Sequence, residues 1–231
     1  MYHKLSENHS DTLTVKLSDF EKQINYLLDK GYTFYSVEEL IKLNEQKSKI
    51  KQKAVALTFD DAYLNNLTFL IPVLKKYNLN ACIFLPVSFI GKTNIWDGGT
   101  DKIMNLEELK ECQPYFEYGL HSYSHHNLAT MSISEFSADL AESCQELRKL
   151  ELPYLPVLAF PFGQYYKDKI KLNEAKVVLA THGIKLAFRI GNAINAWPLK
   201  DPHLVKRIDI KGTDTFWEFK TKLKKGKVKV F

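Results

Sequence analysis

Residues 54–61 read Ala54-Val55-Ala56-Leu57-Thr58-Phe59-Asp60-Asp61. Its first six residues, 54–59, are an apolar run as short as a strand buried on both faces, as in a parallel sheet covered by helices. The stretch ends on two adjacent carboxylates. Outward toward the C-terminus, a helical pattern over about Asn66–Tyr77 leads to a second buried run, Ala81-Cys82-Ile83-Phe84-Leu85. The alternation then continues: helical 105–114, a strand over Glu117–Leu120, and a long helix opened by Ser132-Ile133-Ser134-Glu135. That helix carries Phe136, Leu140, Cys144 and Leu147 on one face. A strand at Leu155–Phe160, a helix over about 168–181, strands at 185–189 and 207–210, and a last helix from near Thr213 or Thr215 complete the series. Outward toward the N-terminus, Ser18-Asp19-Phe20-Glu21 reads as a capping box, with Phe20, Ile24, Leu27 and Leu28 on the apolar face and Gly31 as the stop. Ser36-Val37-Glu38-Glu39 opens another helix, and residues 47–53 form a charged loop. Strands alternating with helices predict an α/β chain of parallel βα units, in an open sheet or a barrel.

The chain has 231 residues with 45% hydrophobic and 26% charged, which excludes a disordered or collagen-like protein. A single α/β domain over residues 1–231 accommodates this length. The net charge is +5, but it comes from lysines; Arg148, Arg189 and Arg207 are the three arginines, so nucleic acid is not an expected partner. The run Lys220, Lys222, Lys224, Lys225, Lys227 and Lys229 reads as a solvated face, with contact to anionic lipid or diphosphate as the alternative. No stretch is long enough to span a membrane, and Met1-Tyr2-His3-Lys4 has no signal-peptide character. The expected location is cytoplasmic. Cys82, Cys112 and Cys144 read as reduced, buried thiols, in keeping with it.

Three clusters carry chemistry. Asp60-Asp61 stands at the C-terminal end of a buried strand, where parallel α/β folds gather their ligand sites. Adjacent side chains point differently, so one acid can bind a metal while the other acts as a base. Taken alone, the pair also fits a polar loop with a helix cap. The second cluster is Gly119-Leu120-His121-Ser122-Tyr123-Ser124-His125-His126. His121 and His125 are four apart, which places two imidazoles on one face of a helical turn, a divalent-metal spacing. Two imidazoles and one carboxylate leave open coordination positions, as in catalytic zinc sites. His126 points away. The third is Ala159-Phe160-Pro161-Phe162-Gly163, a fixed turn after a buried strand that can aim a backbone N–H at a developing oxyanion.

Together these clusters resemble the polysaccharide deacetylase family, the carbohydrate esterases with the NodB homology domain. The resemblance runs from about Met1 to Gly212. Thr58-Phe59-Asp60-Asp61-Ala62 is similar to the family's Thr-Phe-Asp-Asp-Gly, His121-Ser122-Tyr123-Ser124-His125 to its histidine motif, and Pro161-Phe162-Gly163 to its Pro-aromatic-Gly turn. The resemblance implies a distorted (β/α)7 barrel and metal-dependent removal of acetyl groups from sugars. It implies Asp60 as general base, Asp61, His121 and His125 as metal ligands, and the N–H of Phe162 in the oxyanion site. Zinc is the expected metal; Fe(II), Co(II) and Ni(II) suit the same ligands.

The chain departs from the family pattern in three places. Ala62 stands where Gly is usual. The arginine that orients the general base is missing before the third motif, where Leu158 and Ala159 stand. No late motif supplies the usual histidine acid; His182 and His203 lack suitable neighbours. Met1-Tyr2-His3-Lys4 resembles the N-terminal segment of the poly-β-1,6-N-acetylglucosamine deacetylase branch, which implies His3 as general acid. A frayed terminal residue is the plain alternative for His3. Arg207 is the choice for the missing arginine, against a surface residue at a strand end. The expected partner is an acetylated sugar or glycan of the N-acetylglucosamine type, used in surface polysaccharide, with peripheral contact to a lipid-linked substrate and no stable membrane insertion. Trp96-Asp97-Gly98-Gly99 favours a sugar, because aromatic rings stack on pyranoses. Hydrolysis of another small amide or cyclic ureide, or glycan binding without catalysis, are the competing readings. The sequence leaves the oligomeric state open.

Overall fold

The structure is a computed structural model that describes residues 1–227. Two short strands, β1 (Lys4–Ser6) and β2 (Thr14–Lys16), pair in parallel and lead into α1 (Leu17–Asp29). The capping box expected at Ser18 does not form. The chain passes directly from β2 into the helix, Lys16 is the cap residue without a side-chain bond, and Ser18 already lies in the first turn. Strand β3 (Thr33–Phe34) pairs with β4 (Ala54–Val55), and α2 (Val37–Glu45) lies between them in sequence. Here the capping box at Ser36 is present: Ser36 Oγ accepts from the Glu39 N–H, and the Glu39 carboxylate accepts from the Ser36 N–H.

The apolar run that reads as one strand is two. Its first half, β4, belongs to the small pair with β3, whereas β5 (Thr58–Asp60) joins the main sheet. The chain changes sheets between them, and a continuous apolar run hides the break because both halves are covered. The main sheet continues through β6 (Ala81–Leu85), β7 (Phe116–Leu120), β8 (Val157–Ala159), β9 (Leu186–Ile190) and β10 (Val205–Arg207). All neighbours are parallel, in the order β10-β9-β8-β7-β6-β5. The connections carry α3 (Ile71–Tyr77), preceded by a π-helical turn at Asn66–Leu70, then α4 (Leu106–Cys112), α5 (Ile133–Lys149) and α6 (Lys169–Thr181); α7 (Phe216–Lys225) follows β10. The strand expected at 207–210 lies earlier.

Residues just after β10 nevertheless complete the wall. Tyr2 donates its N–H to Thr58 O and accepts from the Asp60 N–H, so the N-terminal segment runs beside β5. On its other side, Met1 N donates to Ile208 O and Met1 O accepts from the Ile210 N–H. The segment thus bridges the two ends of the curled sheet and acts as its seventh stave. A largely apolar cavity of about 580 Å³ is lined by Tyr2, Val55, Leu57, Val205 and Ile208 among others. The fold is a distorted (β/α) barrel.

Inside the barrel, Phe84, Val157, Leu186 and Phe188 pack on Val37 and Ile41 of α2, which plugs the bottom. Glu117 on β7 fixes that plug: its carboxylate accepts from the N–H groups of Val37 (2.7 Å) and Glu38 (3.0 Å), at the start of α2. Outside, the helices pack on the sheet through a larger core that includes Phe20, Phe59, Leu70, Phe136 and Leu147. The three cysteines are free and buried. Among the described residues, no helix is long and apolar enough to cross a membrane. The lysine run is not wholly solvated, because Lys222 binds Asp209 O and the Asp214 carboxylate; Lys229 lies outside the described residues.

Candidate active site

The site sits where the C-terminal ends of the strands meet, and backbone turns of unusual hand aim its side chains. Among the described residues, ten non-glycine residues have positive φ, and five of them lie in the three motif loops: Asp61, Ala62, Ser122, His125 and Phe162. Left-handed backbone costs an L-residue about 1–2 kcal/mol, so strain concentrates where the chemistry would be. Ala62, at φ 56, keeps the turn that Gly would take more cheaply.

Asp60 and Asp61 leave β5 in different directions. Asp60 meets Arg207, which donates Nη1 to Oδ1 at 2.6 Å and Nη2 to Oδ2 at 2.7 Å. Both residues are buried, at 2% and 5% exposure. Burial disfavours the Asp60 carboxylate, but the charge of Arg207 outweighs it and holds the carboxyl well below its usual range. Arg207, at the end of the last strand, is thus brought against Asp60 rather than left at the surface.

Asp61 turns the other way. Its Oδ1 lies 3.1 Å from His125 Nε2 and 3.5 Å from His121 Nε2. One ligand atom from each residue falls within 4.8 Å of the others, and all three side chains are buried. Asp61 Oδ1 is buried without a well-aligned hydrogen bond among the described residues. A carboxylate oxygen left so is costly unless a cation meets it. His121 Nδ1 is 2.8 Å from Ala159 O, which fixes the proton there and leaves the Nε2 lone pair facing Asp61. Burial pushes His121 down to about 4, so at neutral pH the imidazole is uncharged, as a metal ligand must be. One carboxylate and two imidazoles fit a divalent cation.

The expected helical turn between His121 and His125 is absent. The segment is an irregular loop, and left-handed Ser122 and His125 bring the imidazoles together at 5.0 Å between ring centres. His126 is exposed, outside the group. The loop hangs from Asp139 on α5, which accepts from Ser122 Oγ (2.7 Å) and from the Tyr123 N–H (3.1 Å). The motif reading passed over Asp139. Its signal was available: three residues after Phe136, it is a carboxylate on the inward face of a helix.

Phe162 is left-handed at the apex of the Pro161–Gly163 turn. Gly163 and Gln164 donate to Phe160 O and Pro161 O, while the Phe162 N–H has no partner among the described residues. Gly163 is required here: it has φ 65, and a Cβ would come within 2.5 Å of Ile190. His3 is half-buried beside β5, near enough for its charge to help lower both Asp60 and Asp61. It does not fray, because Tyr2 before it stacks on Phe59 at 5.2 Å and donates its hydroxyl to Gln23. His182 and His203 bind Ser137 and Ile184 O instead.

A family profile described as polysaccharide deacetylase matches residues 47–177, more than half of the chain. The chain belongs to the polysaccharide deacetylase family. The poly-beta-1,6-N-acetyl-D-glucosamine N-deacetylase of Staphylococcus epidermidis is 30% identical over 185 residues, which are 74% of this chain and 60% of that protein. The chain spans 59% to 66% of the length of the curated relatives it matches. Among solved structures, IcaB from Ammonifex degensii superposes with a TM-score of 0.80 at 21% identity, over 98% of this chain and 95% of that one. The Streptococcus pyogenes deacetylase PplD, solved in complex with acetate, gives 0.74 at 23% identity, over 92% and 91%. These two likenesses establish the shared barrel of the family. Profile and folds agree with the resemblance carried by the three motifs.

Proposed function

We propose that the chain is a metal-dependent hydrolase that removes acetyl groups from N-acetylglucosamine-type sugars in surface polysaccharide. The observation that carries this reading is the buried Arg207–Asp60 pair set directly beside the converging Asp61, His121 and His125. The name of the Staphylococcus epidermidis relative supports the sugar.

Asp61, His121 and His125 would hold the cation, with zinc the first expectation and Fe(II), Co(II) or Ni(II) accommodated by the same ligands. A divalent cation there supplies Lewis-acid polarisation of the acetyl carbonyl and acidifies a water. Asp60 takes the proton of the attacking water, and Arg207 keeps its carboxylate ionised and aimed. The free N–H of Phe162 donates to the oxygen of the acetyl carbonyl as negative charge develops on it. His3, held beside β5 by the N-terminal stave, protonates the departing amine. Water and the amide become acetate and a free amino sugar.

The test is acetate release from an N-acetylglucosamine oligomer, with amine appearing in equal amount. Asp60→Asn should lower the rate at least about 100-fold, as loss of a general base does. Metal-loaded protein that releases no acetate from such oligomers would refute the substrate class.

A further inference from the structure

Two imidazoles face Asp61, and they are held by different means. His121 has the usual support, its Nδ1 bonded to a backbone carbonyl. His125 has none: its Nδ1 is buried without a hydrogen-bond partner among the described residues. Its backbone is also in the left-handed region, at φ 54. An imidazole on a strained backbone with no hydrogen bond should turn about its own bonds unless packing stops it.

Packing does. The Trp96 indole lies face to face with the His125 ring, 4.4 Å between centres and 29° between planes. Phe162 also meets the ring, edge-on at 4.9 Å and 74°. Trp96 is itself braced by Phe89 at 4.7 Å. Its loop is tied down through buried Asn94, whose side chain donates to Asp97 and accepts from the Asp101 N–H. Asp101 in turn pairs with Lys4 at 2.7 Å, next to His3. The indole therefore reaches His125 from a built support.

We infer that Trp96 is a positioning residue for His125, the stacked indole standing in for the hydrogen bond its Nδ1 lacks. An imidazole that gives its Nε2 lone pair to a cation becomes electron-poor, and the negative face of an indole favours such a ring. The same contact occupies one face of the Trp96 indole, so a pyranose could stack only on the other. The inference rests on the metal reading of Asp61, His121 and His125.

The test compares wild type, Trp96→Ala, Trp96→Leu and Trp96→Phe in the full chain. Three quantities are measured: zinc affinity by competition with a chelating dye, the visible spectrum of the Co(II)-substituted protein, and thermal unfolding of the metal-free form. Loss of support for a metal-bound histidine costs about 10–100-fold in affinity. Trp96→Leu, which keeps apolar bulk without a flat face, should lose about 10-fold or more and alter the Co(II) bands. Trp96→Phe should recover most of the affinity, and metal-free Trp96→Leu should unfold near the wild-type temperature. Trp96→Ala, if folded, should match Trp96→Leu. Wild-type affinity and spectrum in Trp96→Leu would overturn the inference, as would equal losses in Trp96→Leu and Trp96→Phe. A wild-type chain that binds no zinc or cobalt would instead overturn the metal reading, and this inference with it.

Discussion

Arg207 grips both carboxylate oxygens of Asp60, at 2.6 and 2.7 Å, across 147 residues of chain. The pair joins the last strand of the barrel to the first of the main sheet, on the inside. Breaking it leaves a buried charge uncompensated, which costs about 3–5 kcal/mol. It also sets the working state of the proposed base. Burial alone would raise the Asp60 carboxyl above its ordinary 3.8; the charge of Arg207 brings it below. Removing that charge therefore moves the pKa up.

The expected outcome for Arg207→Met is an acid limb of kcat/KM displaced to higher pH, with activity falling at neutral pH. Arg207→Lys keeps the charge and loses the fork, so its limb should shift less. A pH–rate profile checks both. Stability follows the same sign: a depressed carboxyl contributes above its unfolded pKa, and that contribution fades as pH falls through the folded one. Arg207→Met should lack this acid-side dependence.

His3→Gln tests the acid. An amine leaves only when protonated, whereas an activated phenol leaves without help. We expect a loss of about 100-fold or more on an N-acetylated sugar and a much smaller loss on an aryl acetate. Equal losses on both would assign His3 to positioning.

Asp139→Ala should loosen the His121–His125 loop without touching the ligands. It strands the Ser122 hydroxyl and the Tyr123 N–H, at a cost of about 1–3 kcal/mol. Metal affinity should fall with stability, read by chelator competition and thermal melts.

Glu117→Ala separates the fold from the site. The carboxylate serves the first N–H groups of α2, and losing such a cap costs about 0.5–2 kcal/mol. The melting temperature should drop while metal content and acetate release stay near wild type at temperatures below the melt.

Much of this was legible in local sequence. The caps at Ser36 and Ser132 depend on residues three apart, so their patterns foretold them. The cap at Ser18 had the same pattern and failed, because β2 delivers the chain into the helix two residues too early. The split between β4 and β5 left no mark, since burial continues across it. Asp61, His121 and His125 were recognisable as a set, but the left-handed turns at Ser122 and His125 that converge them were not. The position of Arg207 on Asp60 depends on barrel closure, which no local pattern contains. Trp96 looked like a sugar platform from its loop, and its contact with His125 needed the tertiary structure.

The most direct test measures metal content and acetate release together. Wild type and His121→Ala are loaded with zinc, dialysed, and assayed on an N-acetylglucosamine oligomer before and after chelation. The expected result is one divalent ion per wild-type chain, with turnover lost on chelation and restored by added metal, and neither ion nor turnover in His121→Ala. Undiminished acetate release from chelated wild type, or full metal content in His121→Ala, would contradict it.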